Sequence, residues 1–102
     1  MRRGTTPTLT FTTPYEANIM QSGYITFWQR GAVVLDKAFT DPSVTIADQA
    51  VTVTLTQEET LSFTTAAPCD MQIRALLTSG KAVASNIVSD TVLPILKEGE
   101  IT

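Results

Sequence analysis

Few residues of this chain are of the types that carry out enzyme chemistry. The sequence contains no histidine and a single cysteine, Cys69. The lack of histidine excludes histidine acid–base catalysis, the Ser-His-Asp and Cys-His nucleophilic pairs, and the commonest metal ligand. A single cysteine excludes an intrachain disulfide and a cysteine-rich zinc site. Cys69 alternates with Met71 and Ile73, so we expect a buried, inert thiol rather than a nucleophile.

The carboxylates do not form a recognisable catalytic or metal-binding set. Glu58 and Glu59 are adjacent, and neighbouring residues of a helix do not face each other. Asp36, Asp41 and Asp48 lack the Asp-x-Asp-x-Asp-Gly spacing of a calcium loop, and the glycines are too isolated to form a phosphate-binding loop. The sequence therefore predicts a protein that is not an enzyme, with no catalytic residues, no metal and no cofactor.

Three side chains are candidates for binding rather than for catalysis. Arg74 could bind an anionic ligand, but we expect it to pair with Glu58 or Glu59. Tyr24 and Trp28 lie four residues apart on one face of a predicted strand. They could stack on sugar rings in a carbohydrate site. The other interpretation places them in the core or in an interface, because aromatic side chains bury large apolar areas in both environments.

The elements that position these residues are predicted to be strands. The chain has 18 threonines and 43% apolar residues, and β-branched side chains favour a pleated, half-buried surface. Apolar and polar residues alternate along most of the sequence. This alternation predicts strands at Thr8–Thr12, Gly23–Gln29, Ala32–Lys37, Val44–Ile46, Val51–Leu55 and Cys69–Leu77, and a return from Ala82 to about Leu93 that is interrupted at Ser85–Asn86. The stretch from Tyr15 to Tyr24 does not alternate, so the pattern assigns its structure least well.

The alternation breaks after Leu55. Thr56 and Glu59 have the spacing of a capping box, which predicts one or two helical turns over residues 57–62. Four apolar residues are expected to share the core where this helix crosses from one sheet to the other: Leu55, Leu61, Phe63 and Ile73.

Together these elements predict an all-β fold, a small immunoglobulin-like β-sandwich of about seven short strands. The order of a strand, a helical crossing and a strand hairpin resembles the E–F–G half of an immunoglobulin-like domain. We expect one domain over residues 1–102, with flexible ends at about residues 1–4 and 97–102.

Charge and hydropathy narrow the range of partners. The net charge of −3 argues against a nucleic-acid-binding surface. No apolar run approaches the roughly 20 residues of a membrane span. The residues after Arg2 and Arg3 lack the apolar segment of a secretory signal, so we expect neither nucleic acid nor membrane as a partner.

The first predicted strand is a candidate assembly element. Its Thr8, Leu9, Thr10 and Phe11 alternate, so Leu9 and Phe11 could fill pockets while the main chain pairs with another subunit. On this hypothesis the segment Thr5–Thr13 completes or extends a sheet across a subunit boundary. The alternative is that the strand pairs within its own chain.

Three segments carry a resemblance to a known family: Met1–Thr8 (MRRGTTPT), Leu55–Phe63 (LTQEETLSF), and Met71–Arg74 (MQIR) followed by Ala82–Ser85 (AVAS). In the same order they resemble a family of small structural proteins from tailed phages and prophages of clostridial gut bacteria. The resemblance spans nearly the whole chain, although the motifs themselves are strand and cap signals.

The resemblance implies a structural component of a phage particle, in the tail or baseplate. Its partners would be other phage structural proteins and further copies of itself, and its location the virion, assembled in the host cytoplasm. Two alternatives remain open: a head decoration protein, and a carbohydrate-binding module that contacts the host cell wall through Tyr24 and Trp28.

Overall fold

The polypeptide forms two antiparallel sheets that pack against each other, with one short helix at the crossing between them. A computed structural model describes all 102 residues. The helix α1 spans Gln57–Leu61, and a single 3-10 turn spans Ala17–Ile19. The eight strands are β1 (Thr8–Thr12), β2 (Met20–Gln29), β3 (Ala32–Ala38), β4 (Val44–Ala47), β5 (Ala50–Thr54), β6 (Cys69–Leu77), β7 (Ala82–Ala84) and β8 (Val88–Asp90).

The strand order confirms the predicted sandwich. One sheet has the order β1-β5-β4, and the other has the order β3-β2-β6-β7, with β8 also pairing β6. In immunoglobulin lettering these are B-E-D and C′-C-F-G, and the crossing from β5 through α1 to β6 is the E–F connection. No strand takes the place of A, which in that fold lies beside strand B. The outer edge of β1 is therefore uncovered.

The core lies between the two sheets and consists of the inward positions of the alternating strands. Ile25, Phe27, Val51, Val53 and Leu55 are completely buried. The inward row of β6 runs from Cys69 through Met71, Ile73 and Ala75 to Leu77, and each of these residues is buried. The period-two pattern therefore predicted the inward faces of β2, β5 and β6 correctly.

Local turn chemistry explains how the β2–β3 hairpin forms. Arg30 and Gly31 both have positive φ, 53° and 80°, which is the conformation of a two-residue type I′ turn. Farther along β2, a Cβ added to Gly23 would lie 2.5 Å from the backbone oxygen of Arg74 and 2.6 Å from the ring of Phe39. Glycine at position 23 therefore permits the close contact between β2 and its neighbours.

Helix α1 begins with the predicted capping box. The Thr56 hydroxyl accepts a hydrogen bond from the Glu59 N–H (3.1 Å), and the Glu59 carboxylate accepts one from the Thr56 N–H (2.8 Å). The buried residue of the helix is Thr60, whose hydroxyl donates to the Thr5 carbonyl at 2.8 Å. The expectation that Leu61 lies in the core is wrong. Leu61 is half-buried, because so short a helix turns only one position fully inward.

The first residues of the chain lie along the segment that follows β8. The Met1 ammonium forms an ion pair with Asp90 at 2.7 Å, and Arg2 forms a parallel bridge with Leu93. The Arg3 side chain donates to the carbonyls of Phe63 and Leu61, each at 3.0 Å. Flexibility of the two ends, at about residues 1–4 and 97–102, stays a prediction.

Candidate functional site

The thiol that could act as a nucleophile is enclosed by the core. Cys69 is completely buried at the start of β6. Burial raises the pKa of this thiol to about 11, so the thiolate needed for nucleophilic chemistry is scarce near neutral pH.

No three His, Cys, Asp or Glu side chains lie close enough together to hold a metal ion. The α-helix is also far too short to cross a bilayer.

Glu59 has a partner that the sequence did not reveal. It forms an ion pair with Lys37 of β3 at 2.7 Å, and the Lys37 ammonium also donates to the Ser43 hydroxyl at 2.8 Å. The expected pairing of Arg74 with Glu58 or Glu59 is wrong, because Arg74 lies exposed on the outer face of β6. The inward position of Lys37 opposite Ile25 brings its ammonium to α1 instead.

Both carboxylates near Lys37 are stabilised in their charged form. Burial alone would raise the pKa of Glu59, but hydrogen bonds from Lys37 and from the Thr56 N–H outweigh it and hold that pKa below its ordinary value. The pKa of Asp41 is lowered by hydrogen bonds from the side chain and backbone of Ser43. This cluster ties β3 and the β3–β4 loop to α1, so its role is structural.

A buried glutamine holds the loop between α1 and β6. The Gln29 amide nitrogen donates to the carbonyls of Thr64 and Ala67, and its amide oxygen accepts from the Thr64 N–H; all three hydrogen bonds measure 2.9 Å. Gln29 is only 4% exposed. Sequence reasoning did not single out Gln29, which it named only as the last residue of a predicted strand. Its inward position in the alternation with Ile25 and Phe27 was the available signal.

The candidate assembly strand pairs within its own chain along one edge. β1 lies antiparallel to β5, with Thr8 opposite Thr54 and Thr12 opposite Ala50. This pairing is the intrachain alternative of the sequence hypothesis. It leaves the opposite edge of β1 without a neighbouring strand, because β1 is the outermost strand of its sheet.

Hydrogen-bond direction shows which backbone groups of β1 are free. The Leu55 N–H donates to the Pro7 carbonyl, and the Thr13 N–H donates to the Gln49 carbonyl. Because bonding direction alternates along an antiparallel strand, the odd positions of β1 face β5. The N–H and C=O groups of Thr8, Thr10 and Thr12 therefore point away from the sheet.

Beside this free edge lies an open groove of about 750 Å³ between the edges of the two sheets. Leu9 and Phe11 of β1, both half-buried, line one side, and Val83 of β7 lies on the other. Met71 and Ile73 line it from β6. The groove is the gap that strand A covers in a complete immunoglobulin-like sandwich.

The two candidate binding aromatics lie on the outer face of the larger sheet. Tyr24 is 53% exposed and Trp28 is 42% exposed; the interpretation that places them in the core of this chain is wrong. Four residues of strand separate their Cα atoms by about 13 Å. A hollow of about 380 Å³ beside Trp28 is lined in part by Thr26, Asp70 and Gln72.

Comparison with known proteins adds no assignment. Neither the family models, nor the curated proteins, nor the solved structures gave a match to this chain.

Proposed function

We propose that this chain is a non-enzymatic structural protein of a tailed-phage particle, placed in the tail or baseplate and acting by protein–protein assembly. The observation that carries the proposal is the uncovered edge of β1 beside an apolar groove. Such an edge offers backbone hydrogen bonds, and the groove offers space for apolar side chains, which together are the requirements for strand addition. The phage assignment itself rests on the sequence resemblance.

The arrangement of the remaining chemistry fits an assembly role. The one thiol is enclosed, and the charged cluster around Lys37 links parts of the same chain. The partners are other structural proteins of the particle and further copies of this chain, and the location is the virion.

Quantitative mass spectrometry of purified particles tests the proposal. Particles from a host strain that carries the gene are banded on a density gradient, and tails are separated from heads. The chain is expected with the tail fraction, at a few to tens of copies for each particle. Hundreds of copies on heads would support a decoration protein instead. Absence from particles, with the chain present in the lysate, would refute a virion role.

A second candidate function is binding of a saccharide on the outer face of the larger sheet. The observation that favours it is the exposure of Tyr24 and Trp28 on one strand face, with polar side chains around Trp28. Aromatic rings with adjacent hydrogen-bonding groups are suited to sugar rings, which have an apolar face and a polar edge. The ligand would be a cell-wall glycan of the host.

Binding to purified host peptidoglycan and to a glycan array tests this second function. Trp28→Ala should abolish retention of the protein. Leu76→Ala is the matched control, because Leu76 is 38% exposed on the same outer face and lies outside the hollow beside Trp28. Equal retention of both variants, or no retention of the unmodified protein, would refute saccharide binding at this face.

A further inference from the structure

The edges of the two sheets differ in how well they are protected against pairing with another chain. Natural edge strands are protected by short length, bulges, or charged residues that point inward. In β3, Lys37 points inward, and the pairing with β2 shifts register so that Val34 is an extra residue. β7 and β8 have three residues each and are separated by a break. β4 has four residues, and Asp48 follows directly after it.

β1 has neither a bulge nor an inward-pointing charge, and the prolines that flank it, Pro7 and Pro14, lie outside the strand. It has five residues, no charged side chain and an unbroken register with β5. Its outer backbone groups, those of Thr8, Thr10 and Thr12, have no strand beside them. An uncharged edge of this length is a surface for pairing with another strand.

We infer that the occupant of this edge is β1 of a second copy, paired antiparallel across a two-fold axis that passes beside Thr10. This inference deepens the proposed function and rests on it, because it names the partner at the assembly edge. Thr10 faces Thr10 of the second copy, and Thr8 faces Thr12 of the second copy. The two small sheets become one continuous six-stranded sheet with the order β4-β5-β1-β1-β5-β4.

The backbone of β1 is complementary to itself in this register. Residues directly opposite each other in a hydrogen-bonded antiparallel pair exchange both N–H and C=O bonds. Thr8, Thr10 and Thr12 are the residues whose backbone groups point outward, and the axis maps this set onto itself. Every outward donor of one copy therefore meets an outward acceptor of the other, as an isologous interface requires.

The side chains agree with the same register. The strand has the sequence Thr-Leu-Thr-Phe-Thr, so threonine meets threonine on the solvent face at all three paired positions. On the inner face, Leu9 meets Phe11 of the second copy, and Phe11 meets Leu9. Side chains directly opposite each other on one face of an antiparallel pair are close enough to interact, so each leucine packs on a phenylalanine ring. The added strand lies on the groove side of β1, so these apolar side chains of the second copy lie over the groove.

The interface is small, which determines how it can be detected. Five residues from each copy bury less area than a stable dimer requires. The pairing is therefore weak in dilute solution and is strengthened in a particle that holds the copies close together. Covalent trapping is the appropriate test, because it reports the register even at low occupancy.

The test compares oxidative cross-linking of two variants of the full chain that each carry one added cysteine, Thr10→Cys and Thr12→Cys. Across the axis, the Cα atoms at position 10 lie about 5.5 Å apart, within the separation of about 4.4–6.8 Å that a disulfide tolerates. At position 12 the two copies are offset by four residues, or about 13 Å. Thr10→Cys should form a covalent dimer, and Thr12→Cys alone should not. A mixture of Thr8→Cys with Thr12→Cys should cross-link again. The native Cys69 is buried and identical in every sample.

Sedimentation equilibrium of uncross-linked protein at high concentration gives an independent measurement, because a weak dimer is populated as the protein concentration rises. Thr10→Pro removes an outward N–H and leaves the bonds from β1 to β5 intact, and proline is tolerated at strand edges. It should weaken dimerisation at least tenfold, whereas Thr10→Val, which keeps the N–H and the branched shape, should not. Circular dichroism checks that both variants fold, and if Thr10→Pro does not, the cysteine variants decide the question.

Cross-linking of Thr12→Cys that equals or exceeds that of Thr10→Cys would overturn the inferred register and axis. Unchanged dimerisation of a folded Thr10→Pro variant would overturn pairing through the β1 edge. Neither result bears on whether the chain is found in particles, so a failure here is distinguishable from a failure of the proposed function.

Discussion

Replacement of Gln29 by leucine should remove the hydrogen bonds that hold the loop between α1 and β6 and so destabilise the fold. The glutamine side chain is buried and makes three hydrogen bonds to the backbone of Thr64 and Ala67. Leucine has a similar size but no polar atom. The substitution therefore leaves two carbonyl groups and one N–H without their partner, while the loop stays attached to the same strands.

The expected loss in the free energy of unfolding follows from the number of backbone groups that lose their hydrogen-bond partner. A buried polar group that loses its partner costs about 1–3 kcal/mol. Thr64 and Ala67 are half-buried, so water can reach part of the released backbone and the lower end of the range applies. Three groups at about 1 kcal/mol each give a loss of about 3 kcal/mol in the free energy of unfolding.

Urea unfolding followed by intrinsic fluorescence measures this loss, and hydrogen exchange of the Thr64 amide measures the local effect. Gln21→Leu is the matched control, because Gln21 is an exposed residue of the same strand, and a surface substitution changes stability by roughly 0.5 kcal/mol or less. A loss below about 1 kcal/mol for Gln29→Leu, with unchanged exchange at Thr64, would refute the anchoring role.

Three further predictions concern the core, the thiol and the ion pair. Phe63→Ala should lower the free energy of unfolding by about 3–5 kcal/mol, because the Phe63 ring is buried and its centroid lies 5.9 Å from that of Phe27. Leu61→Ala should lower it clearly less, and the reverse order would contradict the helix orientation. Native protein should react with a maleimide at Cys69 only as it unfolds, and rapid labelling of folded protein at pH 7 would contradict its burial. The folded-state pKa of Glu59 is lowered from 4.5, so the folded state holds fewer protons than the unfolded state, and stability is lost as pH falls below about 4.5. Glu59→Gln should flatten this loss in acid unfolding curves. An unchanged curve would count against the ion pair.

Much of the fold could be predicted because the relevant signals are local. Alternation in the segment Val51–Leu55 gave the inward face of β5, and the spacing of Thr56 and Glu59 gave the start of α1. The break at Ser85–Asn86 separates β7 from β8 as expected. Each of these features depends on residues within a few positions of one another, where propensity and side-chain capping act directly.

The features that escaped prediction depend on which strands become neighbours. Sheet packing brings Lys37 to Glu59 and leaves Arg74 in solvent, and no local pattern distinguishes these two cations. Strand β2 begins at Met20 rather than at Gly23, because pairing with β6 extends past an irregularity between Met20 and Ser22. Tertiary pairing overrides local preference in such places.

The candidate site was predictable only in part, for the same reason. The alternation identified Thr8–Phe11 as a strand suited to assembly, and it placed Tyr24 and Trp28 on one face. The uncovered edge of β1 and the groove beside it follow from the absence of a strand in the A position, which is a property of the complete sheet order.

A density map of the assembled particle, at a resolution that separates strands, is the most direct test of assembly through β1. We predict that this chain lies in the tail or baseplate and that the outer edge of β1 is hydrogen-bonded to a strand of another subunit. A map in which the chain is present but that edge of β1 faces solvent in every copy would contradict assembly through β1.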